Sequence, residues 1–321
     1  MNPLTRRTFL GRMSAAAATA AWTLPSFGLP EAETKPVRRM TLDLTGGAIG
    51  VTANQNELLV LAVRHGFESI EPKPADLASY KAEALAALQA RMQMANIRWG
   101  SAGLPVEFRR EEARFREDMN SLPKLAAALQ RAGAERVGTW LMPGDNNLTY
   151  MQNLRRHTAR LREVATVLDD HGLRFGLEFV GTIQSRFRLK YPFVHTLAET
   201  RELNSEIDRK NMGVILDAWH WWMAGDTAED IMSLKNAEVV AVDLNDAPAG
   251  VEKRDQQDGR RELPAATGVI DIASFLGALA RIGYDGPARA EPFNRPLNDL
   301  DNDAACAATI QALRKAVAWV F

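Results

Sequence analysis

From Arg38 onward the chain alternates between short, largely apolar runs and longer stretches whose apolar positions recur at three and four residues. The first pattern predicts strands buried on both faces, the second helices with one apolar side. Strands are predicted at 40–44, 69–72, 97–100, 136–142, 174–180, 212–217, 239–244 and 288–292. Helices are predicted at 57–64, 79–95, 124–132, 150–170, 196–207, 228–234, 272–282 and 304–320, with the stripe Leu125, Ala128, Leu129, Ala132 as an example of the spacing. Gly66, Gly133, Gly172 and Gly283 follow helical runs where a left-handed residue is wanted. Pro123, two residues after Ser121, suits a first helical turn and predicts that the third helical region is split there. Eight strand–helix units in this length predict a (β/α)₈ TIM barrel, one domain over 36–321. An open doubly wound sheet fits less well, because Gly46-Gly47 lacks the rest of a dinucleotide-binding fingerprint.

Composition narrows the class. The chain has 321 residues, 46% hydrophobic and 25% charged, as in an ordinary globular protein. Its 39 basic and 40 acidic side chains give a net charge of -1, leaving no basic excess for nucleic acid, which is not expected as a partner. The one cysteine, Cys306, can form neither an internal disulfide nor a thiolate metal cluster. The first 35 residues read as an export leader and linker: Arg6-Arg7-Thr8-Phe9-Leu10 precedes an alanine-rich apolar stretch in the order of a twin-arginine signal. That reading implies the twin-arginine export machinery as a partner and a periplasmic or otherwise exported location. The stretch is short and interrupted by Pro25 and Pro30, so no stable membrane span is expected. Homo-oligomerisation is left open.

In a barrel the chemistry sits where strands run out into the β-to-α loops. Four consecutive strands end near carboxylates: Glu178, Asp217, Asp243 and Glu291, each after apolar residues. Any one of them could cap a helix or pair with an arginine, but four together at the edge of a core require positive charge. A divalent cation held by carboxylate oxygens would supply it. Arg289 shares the parity of Glu291 along the last strand and is a candidate partner for it inside the barrel mouth.

The ordered motifs from residue 40 to 321 resemble the sugar phosphate isomerase/epimerase group of the xylose isomerase-like barrels. The resemblance is carried by Gly66-Phe67 with Ile70-Glu71, Leu177-Glu178, Leu216-Asp217 with His220, Asn245-Asp246-Ala247-Pro248, Arg261 with Leu263-Pro264, Gly268-Val269-Ile270-Asp271, Gly283-Tyr284-Asp285-Gly286 and Glu291-Pro292-Phe293. It implies a metal-dependent sugar isomerase or epimerase in which Glu178, Asp217 and Glu291 are ligands and Glu178 and Glu291 are the acid/base pair. His220 and Arg261 would contact substrate oxygens. The family's fourth ligand is usually histidine, and Asp243 stands at its place. An all-carboxylate set favours Mn²⁺ or Mg²⁺, with Zn²⁺, Co²⁺ or Fe²⁺ as further candidates. Pro264-Ala265-Ala266-Thr267-Gly268 also departs from the usual Pro-Gly-Glu-Gly.

Further candidates are Glu71 as a substrate contact and His195 as a residue covering the site. Trp221 or Trp222 could stack on a sugar or pack beneath the rim. Trp140 and Met142 are expected in the pocket wall or core. His65, His157 and His171 are expected at the surface, and 252–260 as a solvated loop ending at Arg261. Export favours a non-phosphorylated sugar or glycoside as the carbohydrate substrate. Three rivals remain: a lyase acting on oxidised glycosides, an AP endonuclease-like enzyme disfavoured by charge, and a non-catalytic periplasmic sugar-binding barrel.

Overall fold

The chain is described here for residues 35–321 in a computed structural model; the expected leader lies outside the described residues. Eleven strands occur: β1 Thr41–Leu44, β2 Ser69–Ile70, β3 Arg98–Trp99, β4 Ala102–Gly103, β5 Arg136–Trp140, β6 Gly144–Asp145, β7 Arg174–Glu178, β8 Tyr191–Pro192, β9 Met212–Asp217, β10 Val239–Leu244 and β11 Pro287–Ala290. Nine form one parallel sheet in the order β3-β2-β1-β11-β10-β9-β7-β5-β4. Its two ends are consecutive in the chain: β3, within the strand predicted at 97–100, pairs with β2, and β4, just beyond that prediction, pairs with β5, so the chain itself closes the ring through Gly100-Ser101. This is a (β/α)₈ TIM barrel in a single domain. Only glycine fits at the break, since a Cβ at Gly100 would lie 2.2 Å from Asp43 Oδ1. β6 and β8 make a separate antiparallel ribbon on the loop face.

The helices that cover the sheet follow the predicted order. Tyr150–Asp170 has the predicted limits, and Gly66, Gly133, Gly172 and Gly283 all adopt positive φ after helices. One expectation fails, and one short helix lies outside the predicted set. The helix Glu112–Ala132 runs uninterrupted through Pro123, because the buried stripe Phe115, Leu122, Ala126, Leu129 continues across it and outweighs a proline cost of about 3 kcal/mol. The helix predicted over 79–95 is Ala82–Met94, and a short helix outside the predicted set, Pro74–Ser79, precedes it, begun by Pro74 at its first turn. Among the described residues no helix is long and apolar enough to cross a membrane.

Register places the charged side chains. Asp43 lies beside Arg289, Arg289 beside Asp243, and Asp243 beside Asp217 across β1, β11, β10 and β9. Neighbours in a parallel sheet point the same way, so these four form one level of the barrel. Beneath Glu178, two residues down β7, Gly176 faces Ile215: a Cβ there would come within 2.9 Å of Ile215 Cγ1. The charged level therefore rests on a filled floor, and solvent reaches it only from the loop face.

Candidate active site

Glu178, Asp217, Asp243 and Glu291 converge, each offering an oxygen within 4.8 Å of the others. Arg261 reaches in from the loop after β10. Its guanidinium donates through Nη1 to Asp217 Oδ2 at 2.9 Å and Glu291 Oε2 at 3.2 Å, and through Nη2 to Asp258 Oδ1 at 2.5 Å. It is fully buried and sandwiched between Trp219, 5.4 Å from the ring centroid, and Phe293 at 4.7 Å. Phe293 holds this place with φ +40, a left-handed backbone that a non-glycine residue seldom adopts. Arg289 pairs through both donors with Asp243 rather than with Glu291, which corrects the expected pairing. The register explains it, since Asp243 is Arg289's direct neighbour on β10 whereas Glu291 lies two residues further along its own strand.

The unpaired member is Glu178. Among the described residues no group donates a hydrogen bond to its carboxylate, and the nearest cationic candidate, His220 Nε2, stands 3.6 Å away. Burial and the charge of Glu291 hold Glu178 well above the usual carboxylate range. Burial and the charge of Asp243 push Glu291 up to about 8. Five carboxylates (Glu178, Asp217, Asp243, Asp258, Glu291) thus meet two guanidinium groups (Arg261, Arg289), and the field left over is negative. The donor set fits a divalent cation: Glu178 has both oxygens free of donors and Glu291 has Oε1, while Asp217 stands beside them with Oδ1 accepting from the His220 N–H and Oδ2 from Arg261 and Asn245. Asp243 is in the cluster, yet both of its oxygens are engaged by Arg289.

His220 is buried and locally fixed: its backbone N–H donates to Asp217 Oδ1 at 2.9 Å, so Asp217 caps the short helix Ala218–Ala224 while facing the cluster. Burial lowers the imidazole's pKa, leaving it neutral. Arg261 Nη2 lies 3.1 Å from Nε2, and a guanidinium can only donate. Nε2 must therefore accept, and the proton sits on Nδ1, a buried atom with no protein partner. Gly181, just past β7, makes this approach possible, since a Cβ there would stand 2.4 Å from the His220 carbonyl oxygen.

The cluster opens into a cleft of about 420 Å³ walled by Trp140, Met142, Val180 and Phe293. Trp140 and Met142 are where the sequence predicts them. Trp219, Trp221 and Trp222 pack under the rim instead of lining the cleft: Trp219 and Trp222 meet edge to face, and Trp221 lies against Phe275. His195 is not among the cleft residues; its ring engages Glu199 and the Phe193 carbonyl at the start of helix Leu197–Ile207. Glu71 is likewise outside the cleft, with Lys73 as its ionic neighbour at 4.0 Å. His157, expected at the surface, is buried against Phe108 and Phe193, because helix Tyr150–Asp170 turns that face inward.

Sequence reasoning did not single out Asp258 or Asp43. Asp258 lies in the segment expected to be a solvated loop, but Gln256 anchors that loop through hydrogen bonds to the carbonyls of Pro248 and Val251. Burial raises the Asp258 pKa, Arg261 outweighs it, and the net shift is downward. Asp43, fully buried on β1, is pushed up to about 6 by that burial. The folded chain therefore holds this proton more tightly than the unfolded chain, whose aspartate titrates near 4. The stability so gained is complete below about pH 4 and is lost as pH rises through 6. Asp43→Asn is accordingly expected to be more stable than wild type at pH 7 by about 3 kcal/mol, with the difference vanishing towards pH 4. Urea unfolding at the two pH values checks this.

The sequence profile of a family described as "Xylose isomerase-like TIM barrel" matches residues 59–316. An inosose isomerase of Bacillus velezensis is 24% identical over 247 residues, 75% of this chain and 84% of that protein. A solved xylose isomerase domain protein from Alicyclobacillus acidocaldarius superposes with a TM-score of 0.76 at 28% identity, over 88% of this chain and 99% of that one. A structure of the IolI protein with a bound zinc atom gives a TM-score of 0.72 at 21% identity, over 88% and 99%. This chain belongs to the xylose isomerase-like TIM barrel family.

Proposed function

We propose that the protein is a metal-dependent isomerase or epimerase that moves a proton beside the carbonyl of a non-phosphorylated sugar or glycoside. The observation that carries the reading is the buried pair Glu178 and Glu291, with oxygens within 4.8 Å of each other, at the foot of one cleft. Relatives named inosose isomerase and ketose 3-epimerase support the reaction class. Glu178, Asp217 and Glu291 would hold the cation, with Asp243 and Arg289 as a fixed ion pair behind them. When bound, a divalent cation supplies Lewis acidity that weakens the C–H bond next to a carbonyl. Its oxygen donors suit Mn²⁺ or Mg²⁺.

The side chains divide the remaining work. One of Glu178 and Glu291 takes the carbon-bound proton; for epimerisation the other delivers its own proton to the opposite face of the same carbon, and for isomerisation the first returns its proton to the neighbouring carbon. Arg261 fixes Asp217 and Glu291 in position. His220, which lines the cleft beside Glu178, would contact a substrate oxygen. Phe293, Trp140 and Met142 form an apolar wall that suits a sugar's C–H face and excludes water. Export through the twin-arginine leader, part of the same proposal, favours substrates without phosphate.

The test is incubation of the Mn²⁺-loaded protein with a panel of keto-sugars and oxidised glycosides in D₂O. Deuterium is expected to enter one carbon beside a carbonyl, with the signal lost on chelation and in Glu291→Gln. Sugar binding without exchange under any metal would support the binding-protein reading instead. A lyase on oxidised glycosides is the second reading, favoured by space beyond Trp140 that a monosaccharide would leave empty; release of the aglycone in the same assay identifies it.

A further inference from the structure

Beyond Trp140 lies a second cleft of about 320 Å³, within the range of small-ligand sites of roughly 300–1,000 Å³. Trp140 and Met142 line both clefts, so the two meet at a shared wall. The far side is built by Asn153, Arg156 and His157 on helix Tyr150–Asp170, and by Asp145 on β6. These groups are held in place. Arg156 Nη2 donates to Asp145 Oδ2 at 3.2 Å and to Asn153 Oδ1 at 3.0 Å, while the Arg109 guanidinium lies 4.3 Å from the Trp140 ring centroid.

Among the described residues, two buried atoms of this wall have no partner, Arg156 Nε and His157 Nε2. Their chemistry is complementary. Arg156 Nε is a donor under all conditions. His157 Nδ1 lies 3.0 Å from the Asn153 carbonyl oxygen and so carries the ring proton, which leaves Nε2 as an acceptor. An anion would satisfy the arginine and repel the imidazole lone pair; a cation would do the reverse. Hydroxyl groups both donate and accept, and beside an exposed tryptophan they describe a sugar ring.

We propose that this second cleft is a sugar subsite, so that the substrate is a glycoside spanning Trp140, with the reacting ring over Glu178 and Glu291 and its neighbour against Arg156 and His157. The catalytic half of this statement rests on the proposed function; the subsite does not. Calorimetric titration of the full chain with methyl β-glucoside and with cellobiose, maltose, gentiobiose and trehalose tests it. At least one disaccharide is expected to bind about tenfold more tightly than the methyl glucoside. Arg156→Ala, at a partly exposed position, and His157→Leu should each remove that gain while leaving methyl glucoside affinity within about twofold. If no disaccharide binds more tightly, or if Arg156→Ala weakens both ligand types alike, the subsite is overturned. Because the titration needs no turnover, a disaccharide gain without proton exchange would count against the catalytic reading and leave the subsite standing.

Discussion

Arg261→Ala is expected to destabilise the fold by about 3–5 kcal/mol, the cost of leaving buried charges without their partner. The residue carries no exposed side-chain surface, and its fork reaches Asp217, Glu291 and Asp258 at once. Removing it uncovers three carboxylates and empties the space between Trp219 and Phe293. Arg261→Lys keeps the charge but not the planar fork and should recover only part of the loss. Urea unfolding at pH 7 measures both variants. A loss under about 1 kcal/mol for the alanine variant would mean that the carboxylates are neutralised by other means.

Glu178→Gln is expected to act in the opposite direction on stability while removing function. Glu178 is buried without a donor, and its pKa lies above that of an unfolded glutamate near 4.3. The folded chain retains this proton where the unfolded chain has lost it, so the group's contribution to stability declines as pH rises above about 4.5. Glutamine has the same shape and no charge to desolvate. In chelator-treated protein the variant should gain about 1–3 kcal/mol at pH 8 and little at pH 4, while metal-dependent proton exchange disappears. Thermal unfolding at both pH values shows whether this side chain is held against the fold's own preference, as a site that awaits a cation requires. A variant less stable than wild type at pH 8 would show that Glu178 is a structural ion-pair partner after all.

The barrel was legible because its signals are local and repeated. Strand and helix periods alternate eight times, and helix Tyr150–Asp170 is closed by Gly172, so its end could be read directly. The carboxylates at the strand ends were legible for the same reason: Glu178, Asp217 and Glu291 follow apolar strand residues on the face where barrels do chemistry. What escaped depends on long-range partners. Nothing near Pro123 indicates that a buried stripe carries the helix through it. The pairing of Arg289 depends on register between β10 and β11, a property of two segments that neither shows alone. Parity within one strand pointed to Glu291 because it was the only geometry a single strand offers. His157 and Asp258 were hidden by context, one on a helix face that turns inward and the other in a charged loop that folds back over Arg261.

The most direct test of the central claim, that Glu178, Asp217 and Glu291 together form a cation site, is an equilibrium titration of Mn²⁺ into chelator-treated protein followed by calorimetry. One ion is expected to bind per wild-type chain, with affinity reduced about a hundredfold or more in Glu178→Gln and in Asp217→Asn. Wild-type protein that binds no divalent ion, or a Glu178→Gln variant that binds it with unchanged affinity, would contradict the account.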